Sequence, residues 1–393
     1  QTLIFSVGTH ADWAGKTITR IRVDPLNGAL AANETFSIDW IAITDGDFDN
    51  DTLSDAAEGD ADLDDDTLPN FTDRDIDGDG TSDTGEIAAG RDRSDGVPLF
   101  DFATTADPEG WSPNTQFIDT SITGGIYQGT SDGGDPQILK SGFSFAAAPI
   151  TSFIVRTQTT AGGAMQLFWR RSDDSGFNVA RSLNQPISAS TSPRYRRFPV
   201  GTDADWNGRI TDLRYDPITV TGATVSIDFI RASTGDFDED TLSDDFEGDT
   251  DPDGDFIPNY ADPDSDNDGL PDEVEHASGL NRLSAADATL DLDSDGVSNL
   301  DEYIAGTSIS SPGDRPAIAT TAKAAGTSGP FQITVAGYSG RHYQLQRRTV
   351  LTGGPGWQNV SSDGPLTTDR TVTLSDPSPP SGACFYRVVI SRP

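Results

Sequence analysis

The chain has 393 residues, 34% of them hydrophobic, with 40 glycines, 24 prolines, a single cysteine (Cys384) and a formal net charge of −38 at pH 7. One cysteine excludes an intrachain disulfide, no apolar run approaches the roughly 18 residues of a membrane-spanning helix, and such acidity opposes binding to a nucleic-acid phosphate backbone. The length suggests roughly two to four domains, and the abundance of Gly, Pro, Ser, Thr and Val favours β-structure with many turns.

The charge is concentrated. Residues 45–95 carry 19 acids and 3 bases, residues 236–302 carry 24 and 1, and the remainder of the chain is close to neutral. Acid this dense repels itself unless cations neutralise it. The same order of segments also recurs after about 190 residues, the mark of a repeated unit.

In chain order, residues 1–44 read as the C-terminal half of a β-sandwich module. Phe5-Ser6-Val7-Gly8-Thr9 matches Phe198-Pro199-Val200-Gly201-Thr202, Trp13 matches Trp206, Asp24-Pro25 matches Asp216-Pro217, and Ser37-Ile38-Asp39 matches Ser226-Ile227-Asp228. A strand set this short cannot bury its apolar face alone. Its completion is expected from an upstream part of a longer parent chain, or from another copy of the chain in a head-to-tail fibre.

Residues 45–98 read as an acidic stalk. A calcium loop of the EF-hand type places ligands at positions 1, 3, 5, 7 (a carbonyl), 9 and 12, with glycine at position 6 for the sharp turn. Asp75, Asp77, Asp79, Gly80, Asp83 and Glu86 fit that frame. Two loops before it keep the acids but carry threonine at position 6. One presents Asp47, Asp49, Asp51, Asp55 and Glu58 around Thr52, the other Asp62, Asp64, Asp66, Asn70 and Asp73 around Thr67. A β-branched residue resists positive φ, so these loops are expected to follow a different path.

Residues 99–233 read as a complete antiparallel β-sandwich, with alternating stretches such as 153–156, 165–169 and 225–229 separated by Pro, Gly, Ser and Asn clusters. Residues 234–313 repeat the stalk and its linker. Asp236, Asp238, Asp240, Asp244 and Glu247 surround Thr241, and Asp251, Asp253, Asp255, Asn259 and Asp262 surround Phe256. Two loops with the glycine follow: Asp264, Asp266, Asp268, Asp272 and Glu275 with Gly269, then Asp291, Asp293, Asp295, Asn299 and Glu302 with Gly296. The count is about seven sites, three of them well formed. Ligation by oxygen alone points to Ca2+ rather than to zinc, which favours His and Cys, or to magnesium, which retains several waters.

These tandem loops, Asp262-Pro263-Asp264-Ser265-Asp266-Asn267-Asp268-Gly269 among them, resemble bacterial thrombospondin type 3 repeats. The resemblance implies loops wrapped around a file of calcium ions with little apolar core. Residues 99–233 resemble galactose-binding-like jelly-roll carbohydrate-binding modules, on Phe100-Asp101-Phe102, Glu109-Gly110-Trp111, the run 206–217 and Ile227-Asp228-Phe229-Ile230-Arg231. In such modules exposed aromatics stack on sugars, which makes Trp111, Tyr127, Trp169 and Trp206 candidates for binding polysaccharide; the alternative is that most of them are core residues, and Trp206, repeated at Trp13, suits a fold-keeping role as well as a ligand one.

Residues 314–393, with strands expected near 331–336, 342–348, 370–374 and 384–390, suit a fibronectin- or immunoglobulin-like sandwich. It is similar to the C-terminal sandwiches of large secreted bacterial proteins, and Cys384 is expected to be a buried apolar residue. The expected fold class is mainly β: sandwiches joined by calcium-loop stalks with little regular secondary structure.

Nothing assembles a catalytic constellation. His10, His276 and His342 fall in different segments, and the spacing of metal ligands already accounts for the paired carboxylates. Two readings remain open for a bacterial, extracellular or cell-surface protein. One is a non-catalytic structural or adhesive component of a surface filament, stiffened by calcium. The other is the carbohydrate-binding accessory tail of a large secreted polysaccharide-degrading enzyme.

Overall fold

The computed structural model describes residues 46–393 except 65–67, 80, 90–92, 95, 324–328, 351–355 and 393. The half-module expected at 1–44, the candidate ligand Asp66, and Thr67 and Gly80 lie outside the described residues. The chain divides into two units, 1–235 and 236–393.

In the first unit eleven strands follow the stalk. They are β1 (Leu99–Phe100), β2 (Trp111–Pro113), β3 (Phe117–Thr123), β4 (Ile126–Ser131), β5 (Ile138–Ala146) and β6 (Ser152–Thr159). Then come β7 (Gly163–Arg171), β8 (Ser182–Ile187), β9 (Arg194–Phe198), β10 (Arg209–Asp216) and β11 (Thr224–Ser233). One sheet runs β3-β4-β11-β6-β9 with β1 also on β11, the other β2-β5-β10-β7-β8, and every pairing is antiparallel.

Alternation explains the core between the sheets. Met165, Leu167 and Trp169 of β7 are each buried without residue, as are Phe153 and Val155 of β6. Two strands change phase on the way. The register of β11 shifts between Ile227 and Phe229, and that of β10 between Ile210 and Asp212. The extra residue lets Ile227 and Ile230, and likewise Ile210 and Leu213, all face inward.

The loop at 75–86 docks on this sandwich within the first unit. Ser144 of β5 donates its N–H to the Gly78 carbonyl at 2.9 Å, and Thr81 Oγ1 donates to the Leu99 carbonyl at 3.0 Å. Gly78 has φ +68°, and a side chain there would collide with Asp64 Oδ2 and the Ser144 carbonyl, so glycine is required on both counts.

In the second unit the stalk precedes a smaller sandwich of β12 (Ile318–Lys323), β13 (Phe331–Gly337), β14 (His342–Arg348), β15 (Gln358–Asp363), β16 (Arg370–Asp376) and β17 (Phe385–Ser391). Its sheets run β12-β13-β16 and β15-β14-β17 around Ile333, Val335, Tyr343, Leu345, Leu366, Val372 and Leu374. The architecture is mainly β, made of antiparallel sandwiches. Cys384 precedes the last strand and is only half-buried, not a core residue as expected.

The stalks hold more regular structure than expected. Short helices α1 (Asp55–Glu58), α2 (Asp83–Ala89), α3 (Asp244–Glu247), α4 (Asp272–Ser278) and α5 (Asn299–Ala305) each begin at position 9 of a loop, and 3-10 turns do so at Asn70–Thr72 and Asn259–Ala261. The preceding residue is Ser or Pro in all seven loops, and serine is a favoured helix N-cap. Ser243 and Ser298 accept the capping N–H of Phe246 and Asp301. A small apolar cluster also forms in the second stalk, with Leu270, Ala288 and Ile309 buried against Val274, Leu280, Leu300 and Tyr303.

Candidate metal sites

Each loop is wound by its own acids. The position-1 carboxylate accepts two backbone N–H groups: Asp236 from Asp240 at 3.2 Å and Thr241 at 3.1 Å, Asp264 from Asp268 at 3.2 Å and Gly269 at 3.0 Å, Asp291 from Asp295 at 3.2 Å and Gly296 at 2.9 Å, and Asp251 from Gly254 at 2.9 Å and Phe256 at 3.1 Å. The position-5 carboxylate accepts from position 7, as Asp51 does from Leu53 at 2.7 Å and Asp240 from Leu242 at 2.8 Å. Position 9 closes the loop by accepting the N–H of position 2. Asp55 takes it from Phe48, Asn70 from Leu63, Asp83 from Ile76, Asp244 from Phe237, Asp272 from Ser265 and Asn299 from Leu292.

Among the described residues this winding imposes positive φ at two positions of the loop. At position 4 it falls on Asn50, Gly78, Glu239, Gly254, Asn267 and Ser294. At position 6 it falls on Gly269 (φ +95°) and Gly296 (φ +96°), but equally on Thr52 (+83°), Thr241 (+80°) and Phe256 (+82°). The expectation of a different path for the loops lacking glycine is therefore corrected at these three positions. Two hydrogen bonds to one aspartate hold the turn, and they overrule the preference of the β-branched side chain. That conformation costs a residue bearing a Cβ about 1–2 kcal/mol. Thr241→Gly is expected to unfold at a higher temperature than Thr241→Ala in calcium, the reverse of the order at an ordinary site, where alanine wins by about 0.5–1 kcal/mol. Thermal unfolding of the two variants decides it, and a more stable alanine variant contradicts the positive φ.

What the winding leaves over is the glutamate at position 12. Glu58, Glu247, Glu275 and Glu302 are 7%, 4%, 0% and 0% exposed. Neither carboxylate oxygen of Glu58, Glu247 or Glu275 has a hydrogen-bond partner among the described residues, and Glu302 keeps only the Thr307 hydroxyl, at 3.5 Å. Burying a charge without a partner is strongly unfavourable. Burial first, and then the neighbouring aspartates, push Glu58 and Glu302 up to about 7 and Glu247 and Glu275 up to about 9.

The neighbours converge on the same places. One carboxylate oxygen from each of Asp47, Asp49 and Asp51 lies within 4.8 Å of the others, as do those of Asp75, Asp77 and Asp79 and of Asp236, Asp238 and Asp240. A donor set of carboxylates and carbonyls, with buried glutamate oxygens lacking hydrogen-bond partners among the described residues, fits a hard divalent cation such as Ca2+.

The middle loop of each stalk differs. Its position-12 residue is an aspartate already engaged by the next loop: Asp73 Oδ1 accepts from Asp75 N–H and Asp262 Oδ1 from Asp264 N–H, each at 3.1 Å. Asp255 is exposed, and Asn259, fully buried, spends its amide on the Glu247 carbonyl and Thr250 Oγ1. Aromatic pairs tie first and second loops together: Phe48 meets Phe71 at 6.0 Å, and Phe237 meets Tyr260 at 6.3 Å.

The four candidate sugar platforms belong to the core. Trp111, Tyr127, Trp169 and Trp206 are 1%, 2%, 0% and 7% exposed, so none offers a face to a ligand. Their strand positions point inward; Trp169 packs edge-on to Trp206 at 5.4 Å, and the Trp206 indole donates to the Ala147 and Ile150 carbonyls at 2.9 Å. The outer side of β10 carries Asp212, Arg214 and Asp216 instead, at a spacing of two that the sequence displays. Arg214 donates to Asp216 at 2.7 and 2.6 Å and lies 4.6 Å over the Phe168 ring, while Arg170 and Ser141 each donate to Asp212 at 2.6 Å. These groups satisfy one another.

No protein-family model and no curated protein matches the chain. Solved structures do. A mutant of a carbohydrate binding module of family 29 covers 35% of this chain with 93% of its own length, at 15% identity and a TM-score of 0.27. Another family 29 mutant, complexed with cellulohexaose, covers 35% with 92% of its own, at 14% identity and a TM-score of 0.27. Scores this low give the likeness no weight for fold or function.

Proposed function

We propose that this chain is a non-catalytic, extracellular structural or adhesive protein, in which Ca2+ turns two self-repelling acidic segments into spacers between β-sandwiches. One observation supports this most: a buried glutamate with a carboxylate oxygen lacking any hydrogen-bond partner among the described residues recurs at position 12 in both stalks, at Glu58, Glu247, Glu275 and Glu302. Asp47, Asp49, Asp51 and Glu58 would hold one ion, and Asp75, Asp77, Asp79 and Glu86 another. In the second stalk Asp236, Asp238, Asp240 and Glu247, then Asp264, Asp266, Asp268 and Glu275, then Asp291, Asp293, Asp295 and Glu302 would hold three more. The ion supplies counter-charge and cross-links; the residues supply the path of the chain. The alternative, an accessory tail retaining polysaccharide, is weakened by the burial of all four aromatic platforms.

Electron microscopy of the purified chain in calcium at about 10⁻³ M, the range in which extracellular modules bind, tests the structural reading against the alternative. End-to-end strings or filaments are expected. Dispersed particles together with retention on a glycan array would favour the accessory tail.

A further inference from the structure

The first and third loops of each stalk meet at a point where no single loop accounts for the ligands. Asp51 (position 5) and Glu58 (position 12) of the first loop lie with Asp83, position 9 of the third, one oxygen from each within 4.8 Å of the others. The second stalk repeats the arrangement with Asp240, Glu247 and Asp272. All six residues are buried, and neither oxygen of Glu58 or Glu247 has a hydrogen-bond partner among the described residues.

Resting on the reading of the stalks as calcium-binding, we infer that Asp83 and Asp272 serve the ion of the first loop, so that each stalk closes as a three-loop unit around a shared site. Position 9 does not need a charge to close its own loop. Asn70 and Asn299 make the same contact to position 2 with an amide oxygen, at 3.2 and 3.0 Å. The second carboxylate oxygen, Oδ2, is therefore not needed for that closure; in Asp272 it accepts the Ser265 hydroxyl at 2.6 Å and in both it faces an arginine, which leaves lone pairs for a cation. An arginine beyond the third loop secures the approach in each stalk. Arg282 reaches Asp272 Oδ2 at 3.2 Å and the Glu247 carbonyl at 3.0 Å; Arg93 reaches Asp83 Oδ2 at 3.4 Å and the Ala57 carbonyl at 3.0 Å. One guanidinium cannot balance Asp236, Asp238, Asp240, Glu247 and Asp272 together, and a divalent cation fits the excess. The loop at 291–302 stands outside this unit.

The test is a pair of double-mutant cycles on the full chain, read by calcium titration calorimetry and by thermal unfolding in calcium. Asp272→Asn keeps the acceptor for Ser265 N–H and is expected to weaken one site about tenfold. That loss should vanish in an E247Q background and persist in an E275Q background. The opposite pattern, a loss independent of both backgrounds, or no loss overturns the shared site. D83N with E58Q and E86Q repeats the experiment in the first stalk should D272N not fold. A wild-type chain that takes up no calcium would instead defeat the underlying reading, which separates the two failures.

Discussion

Chelating calcium is expected to expand the protein and to open both stalks while the sandwiches stay folded. Two carboxylates with oxygens within 4.8 Å of one another repel by about 3 kcal/mol or more at an effective dielectric of about 20. Three in one cluster therefore cost on the order of 10 kcal/mol, comparable with the whole stability of an ordinary domain, about 5–15 kcal/mol. Against this the second stalk sets the buried apolar side chains Phe237, Leu242, Tyr260, Leu270, Ala288, Ala305 and Ile309. At about 1.5–3 kcal/mol for a full-size apolar side chain, they cannot offset several such clusters. The sandwich between β1 and β11 has a large apolar core of its own, so its β signal should survive. Small-angle scattering measures the outcome: a larger radius of gyration in chelator, reversed by calcium and not by the same concentration of magnesium. Superimposable profiles with and without chelator would refute it.

The spacing of the acids was legible because the loops are local. Positions 1, 5, 6 and 7 are joined by hydrogen bonds within seven residues, as Asp236, Asp240, Thr241 and Leu242 are, so the periodicity of the sequence is the periodicity of the structure. The path at Thr52, Thr241 and Phe256 was not legible, because φ there is set by the aspartate five residues earlier rather than by the residue itself. Direction within strands was lost for a related reason. Residue type marks Trp169 and Tyr127 as large and apolar, and alternation puts Trp169 on one face with Met165 and Leu167, but neither says which face meets the second sheet; in β10 and β11 register shifts break the alternation as well. Strand β12 is exposed along its whole length and carries no pattern to read. The meeting of Asp272 with Glu247 joins loops that are far apart in the chain, and no spacing rule reaches that far.

The stalks should also respond to pH in opposite senses with and without calcium. In the metal-free protein Glu247 and Glu275 are pushed up to about 9, and Glu58, Glu302 and Asp238 to about 7, with burial the first cause in each. A folded-state pKa above the unfolded value, about 4 for these carboxyls, means that folding favours the protonated form. That contribution is fully present below about pH 4 and is lost as pH rises through about 7 and then about 9. Scattering in chelator should therefore show a more compact chain at pH 5 than at pH 9. Calcium takes the ionised form, so binding displaces protons and tightens with rising pH over the same window. Calorimetry in buffers of different ionisation enthalpy should register proton release at pH 7, and its absence would mean that these glutamates are already ionised before the metal arrives. Glu247→Gln separates the two senses in one molecule. An amide stands in for the protonated acid, so at pH 8 the variant is expected to unfold at a higher temperature than wild type in chelator. In calcium it should unfold at a lower one. A variant less stable in both conditions would show that Glu247 holds the loop by packing rather than by charge.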